Sequence, residues 1–215
     1  MKHIPLVIAA VLVPGLSLAQ SKVDMTRTAL LSLQGTISVS HQPQMAEGKL
    51  TGCSMNFEHM QQDFVYLNGN FIRSSGSVAL MSAGANIAVV MKIVAGELNP
   101  ADEPMNARPL KVSRVYLLGH DMSSNFENLL DSYPSEDGGG LLSVYPPDPS
   151  LEMVLGELQT GAITVAVGLG GAMDIQLPID ITTASRDDKG KPIHSPDALL
   201  AFFGCGEKLL ESLAR

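Results

Sequence analysis

Apolar and polar residues alternate along most of this chain with a period of two. Between Met173 and Thr182 the side chains of Met173, Ile175, Leu177, Ile179 and Ile181 fall on one side, and Asp174, Gln176, Pro178, Asp180 and Thr182 on the other. That pattern predicts a strand with one face buried and one face in water. Pro178 has no N–H to give to a ladder, which predicts an edge strand or a bulge at that point. The same alternation runs from Leu31 to Ser40 (Leu31, Leu33, Ile37, Val39), from Cys53 to Glu58, and from Ile163 to Leu169. Further strands are predicted near 64–67, 72–82, 86–97, 109–118, 140–145 and 151–156. Asn68-Gly69, Ala83-Gly84 and Gly170-Gly171 supply turn chemistry between them. Half-polar strands joined by short turns pair antiparallel. The fold class predicted is therefore mainly β, an antiparallel β-sandwich or open barrel. The stretches starting at Gly76 and Gly161 echo one another as strand, glycine turn and strand, a likeness that hairpin chemistry alone accounts for.

The period changes near the C-terminus. Ser195 suits a cap, Pro196 a first helical position and Asp197 the positive end of a helix dipole. Leu199, Phe202, Phe203, Gly206, Leu209, Leu210 and Leu213 then recur at spacings of three and four, predicting an amphipathic helix over about 196–214. Cys205 lies on its apolar side. Gly204 and Gly206 each cost a helix about 1 kcal/mol relative to alanine, and the expected return is a close approach to the sheet. Cys53 faces inward on its strand. The two are the chain's only cysteines, so the expectation is one disulfide, Cys53–Cys205, stapling the C-terminal helix to the sheet. Neither cysteine sits in a CxxC spacing or beside a histidine, which speaks against a redox role.

Residues 1–19 read as a signal peptide: a short basic start at Lys2 and His3, an apolar run from Ile4 to Val13, and small residues before a cut after Ala19. The run falls well short of the roughly 20 residues a membrane span needs. A periplasmic or secreted location follows, with residues 20–215 as a single β-rich domain. Removing the leader takes one lysine and leaves 13 basic against 22 acidic residues. An acidic balance argues against nucleic acid and against adsorption to anionic headgroups.

Sites of chemistry are sparse. Met55, His59 and Met60 offer thioether and imidazole ligands suited to copper, although Met55 shares parity with Cys53 and Phe57 and so reads equally as core. His120, Asp121, Ser123 and Ser124 hold the residue types of a hydrolytic triad without its spacing, and Asp63 is a further acid. The acidic groups Asp131, Glu136, Asp137 and Asp187, Asp188 lack a calcium-loop spacing. Tyr66, in "DFVYLNGN", and Tyr133 and Tyr145, flanking a glycine-rich stretch, are candidate interaction residues. No cofactor motif and no catalytic constellation emerges. The chain reads as a non-catalytic binding protein of the cell envelope with a protein partner. The alternative is a small-ligand carrier with an apolar cavity between its sheets, and, less favoured, a copper-binding protein.

Overall fold

The computed structural model describes residues 21–84, 86–136, 140–157 and 160–214. The leader predicted over 1–19 lies outside them. In chain order the elements are α1 (Lys22–Ser32), β1 (Gly35–Ala46), β2 (Lys49–Asp63), β3 (Asn70–Ala83), β4 (Asn86–Leu98), β5 (Arg108–Leu110), β6 (Arg114–Leu118), β7 (Asp131–Pro134), β8 (Leu141–Tyr145), α2 (Pro147–Glu157), β9 (Ala162–Gly168), β10 (Ile175–Asp180), β11 (Thr183–Arg186), β12 (Pro192–His194) and α3 (Asp197–Leu213). A seven-stranded sheet runs β1-β2-β3-β4-β8-β7, with β5 continuing the free side of β4. A three-stranded sheet runs β10-β9-β6, and β11 pairs with β12. Every pairing between these strands is antiparallel.

Register decides which residues go inside. Cys53 lies opposite Leu80, Met55 opposite Val78, and Phe57 opposite Gly76. Across the next pairing Leu80 meets Val89, Val78 meets Met91, and Gly76 meets Ile93. These rows form the inner face, which packs on Ile163, Val165, Leu177 and Ile179 of the small sheet and on Phe202 and Leu209 of α3. Gly76 is required there. A Cβ on it would lie 2.5 Å from Phe57 Cζ and 2.8 Å from Ile93 Cδ1, so the Phe57 ring occupies the space above it. The outer face is left to other elements. At one end α1, capped by Ser21 Oγ accepting the Asp24 N–H, lays Leu30 over Met60, Phe71 and Leu98.

The staple is present. Cys53 and Cys205 are bonded with Cα atoms 5.9 Å apart across 152 residues of sequence, and α3 packs on β1 and β2. The two glycines beside Cys205 turn out to differ. A Cβ on Gly206 would meet Leu80 Cδ1 at 3.3 Å, as the close approach requires, whereas one on Gly204 would meet nothing within 4 Å.

Prolines mark the edges. They occur in β1 (Pro43), β5 (Pro109), β7 (Pro134), β10 (Pro178) and β12 (Pro192), and in none of β2, β3, β4, β8 and β9, which are paired on both sides. The N–H of Asp180 leaves the small sheet and donates to Thr36 Oγ1 at 2.8 Å. Pro178, two residues earlier, therefore points its nitrogen away from β9 too and forfeits no ladder bond.

Four predicted elements need correction. The single strand predicted over 109–118 is two: β5 pairs with β4 in the seven-stranded sheet, and after residues 111–113 the chain passes to the small sheet as β6. Residues 151–156 form part of α2, because Leu151 and Val154 pack inward at a helical spacing of three. Residues 64–67 are a loop, closed by the Asp63 carboxylate accepting the N–H groups of Tyr66 (2.7 Å) and Leu67 (2.9 Å). Leu31 lies in α1 and Leu33 at its C-cap, and the alternation that includes them begins as a strand only at Gly35.

Candidate interaction face

The copper candidates do not converge. Met55 and His59 share the inner face of β2, four residues apart, while Met60 falls on the outer face beneath α1. Four strand residues span roughly 13 Å, so no one ion is reached by all three. His59 instead belongs to a buried polar seam where the sheets meet. It lies opposite Thr36 on one side and Ser74 on the other. Burial lowers its pKa to about 4, against the smaller upward pull of a 3.3 Å contact with Gln61 Oε1 and with the Arg186 guanidinium adding to the lowering. Arg186 closes the seam: its Nε donates to Thr36 O, Nη1 to Ser32 O and Gly190 O, and Nη2 to Gln34 O.

Three of the residue types of a triad share one cleft, but Asp121 is turned to the backbone there and Asp63 lies elsewhere. His120, Asp121 and Ser123 line an open cleft of about 500 Å³ walled by Pro149, Glu152 and Met153 of α2. Asp121 is occupied in turning the chain, accepting the Ser123 N–H at 3.0 Å and its hydroxyl. Asp63 is elsewhere, closing the β2–β3 loop. Asp187 caps its own turn by accepting the N–H groups of Lys189 and Lys191, Glu136 is exposed, and Asp137 lies outside the described residues.

The three tyrosines have separate fates. Tyr145 is wholly buried, its hydroxyl donating to Val115 O at 2.6 Å, and burial pushes its pKa up. It is core and has no surface to offer. Tyr66 is half-buried and bonds Met173 O, tying one loop to another. Tyr133 alone is open, 50% exposed, with its hydroxyl on Asp131.

Tyr133 leads to the outer face of the seven-stranded sheet. On the outer face it sits opposite Leu142, Leu142 opposite Lys92, Lys92 opposite Ser77, and Ser77 opposite Asn56. The neighbouring rows run Asp131, Val144, Val90, Ala79, Ser54 and Val94, Ser75, Glu58, Ser38. Half the face is thus apolar: Val90, Val94, Leu142 and Val144 are half-buried and outside the core clusters, and Tyr133 is exposed at its margin. The other half is a polar depression of about 320 Å³ lined by Ser38, Ser40, Asn56, Glu58, Ser75, Ser77 and Lys92. At its end Arg73 Nη2 donates to Glu58 Oε2 at 3.1 Å. Sequence reasoning missed Val90, Val94, Leu142 and Val144. Both β4 and β8 are apolar on each face, so alternation gave no sign of which side stays open.

No family model matches the chain, no curated protein matches it in sequence, and no solved structure matches it.

Proposed function

We propose that this chain is an exported, non-catalytic binding protein of the cell envelope that docks a protein partner on the outer face of its seven-stranded sheet. The observation that carries the reading is that face, with an uncovered apolar half centred on Leu142 and Tyr133 beside a hydroxyl- and amide-lined depression. Apolar and aromatic centres with polar margins are what protein interfaces use. The edge prolines favour docking on the face over strand addition, since a proline turned outward offers an incoming strand no donor. The disulfide fits an oxidising compartment. The carrier alternative asks for a void between the sheets. That space is filled by Phe57, Met91, Ile93, Val165 and Leu177, all buried.

Site-specific photo-crosslinking in the native host tests the proposal. A crosslinker placed at Ser77, Tyr133 or Leu142 is expected to trap one discrete partner, and one at Leu200 on the exposed side of α3 to trap none. Tyr133→Asp should abolish the adducts formed at Ser77 and Leu142 without changing the melting temperature. Equal adducts from Leu200, or adducts indifferent to that substitution, would remove the proposal.

A further inference from the structure

We infer that the loops 64–69 and 169–174 together form a tip that inserts into the headgroup region of a phospholipid surface. This goes beyond protein docking and uses a different part of the molecule, reached from the ends of β2 and β9.

Both loops are braced from behind. In the first, Asp63 Oδ1 holds the backbone of Tyr66 and Leu67, Gln62 Nε2 donates to Gly69 O at 2.8 Å, and Arg27 Nη1 donates to the same carbonyl at 3.3 Å. In the second, Arg114 Nε donates to both Asp174 oxygens at 2.9 and 2.8 Å, its Nη2 donates to Gly171 O, and Tyr116 Oη donates to Asp174 Oδ2 at 2.7 Å. Tyr66 joins the two through its bond to Met173 O. They touch so closely that a Cβ on Gly171 would lie 2.4 Å from the Tyr66 hydroxyl.

This bracing displays apolar side chains in water. Phe64 is 73% exposed, Val65 55% and Met173 61%, with Gly170 and Ala172 exposed between them. Residues 64–69 and 169–173 contain no charged side chain, in a chain whose net charge is −8. The carboxylates at the base are engaged: Asp63 is buried on backbone amides, Asp174 is spent on Arg114 and Tyr116, and the half-buried Glu97 accepts from the Asn70 amide at 2.7 Å. Of the cations near the base, Arg27 is turned to Gly69 O and Lys111 is exposed. Lys111 stands two residues before Ser113, whose N–H and hydroxyl both hold Gly168 O. An uncharged apolar crest with its basal carboxylates engaged and the exposed Lys111 near its base complements a surface of acyl chains below phosphates. Two narrow loop ends present far less area than a stable protein interface needs, whereas shallow insertion into lipid asks only that a few large apolar side chains protrude.

The chain has no tryptophan, so Phe64→Trp places a single indole at the crest. With disulfide-bonded protein and phosphatidylcholine vesicles, its emission is expected to shift to shorter wavelength and the protein to sediment with lipid. Phe64→Asp and Met173→Asp should each weaken sedimentation by about tenfold or more, the worth of one large apolar side chain. Both positions are exposed, so the melting temperature should hold. Unshifted emission at saturating lipid would overturn the inference, as would binding unchanged in both aspartate variants. The crosslinking of the sheet face stands or falls separately.

Discussion

Strand β2 shows two fates for neighbouring residues. Its inner-face positions, Cys53, Met55, Phe57 and His59, are buried, and three of the four are fixed by something specific: a disulfide, a ring over Gly76, a seat in a polar seam. Its outer-face positions carry the smaller demand. Ser54 is buried with its hydroxyl on Gln42 O, Met60 is covered by α1, and Asn56 and Glu58 between them line an open depression. One face is spent on stability, so the other is free to vary in chemistry at little cost to the fold.

The largest break in that contrast is at the disulfide. Cys205→Ser should lower stability by about 4–5 kcal/mol on the chain-entropy account for a loop of this length, and reduction of the native protein should match it. Equal calorimetric melts for oxidised and reduced chains would show that the inner face does not depend on the staple.

The second test is pH. The His59 pKa of about 4 lies below the ordinary 6.5, so the unfolded chain binds a proton that the folded chain refuses. The stability held by neutral His59 is complete above about pH 6.5 and declines as pH falls toward 4. The loss is about 3 kcal/mol over that window. Asp174 and Asp180 are held below the ordinary carboxylate value of 3.8. Burial opposes the shift in each, but hydrogen bonds from Arg114 and Tyr116 in one and Thr182 in the other outweigh it. Their contributions go at lower pH still. Denaturant titrations of the native chain and His59→Gln should therefore diverge between pH 6.5 and 4, the variant staying flatter. Parallel curves would place the acid sensitivity elsewhere.

Gly76→Ala sharpens the comparison on a smaller scale. The added methyl must displace the Phe57 ring or the Ile93 side chain, at about 1–3 kcal/mol. Ser77→Ala, next door on the outer face, should stay within about 0.5 kcal/mol. The smallest effect separates the paired glycines of α3. Gly204→Ala should stabilise the protein by up to about 1 kcal/mol, since its Cβ meets open space, and Gly206→Ala should gain less or lose, with Leu80 in the way. Identical shifts for the two would mean that the helix does not press on the sheet at Gly206.

The layout was readable in the sequence where one face is wet. Alternation at Cys53–Glu58 and Ile163–Leu169 placed the inward residues, Pro178 marked an edge, and the cysteine count with a helical spacing gave the staple. It failed where other forces set the pattern. Pro147-Asp148-Pro149 has the look of a loop, and after it Leu151, Met153 and Leu155 alternate as a strand would, hiding the spacing of three between Leu151 and Val154 that α2 uses. In "DFVYLNGN" the tyrosine drew attention as the exposed anchor, yet it is the tie, and Phe64 and Val65 are the exposed pair. No local signal distinguishes them, because Tyr66 is engaged by Met173, more than a hundred residues away. The candidate face is harder still, since it is defined by what does not cover it.

The Cys53–Cys205 bond has a consequence for how the chain comes into being. Synthesis runs from N- to C-terminus, so Cys53 emerges early and waits while most of the sheet-forming sequence follows; its partner arrives 152 residues later, in α3. Any chain cut short before α3 carries one unmatched thiol and has no means to hide it in a bond of its own. A fully oxidised monomer has therefore been made at least as far as Cys205, and the unpaired thiol is a label by which copies that stop earlier can be recognised and removed.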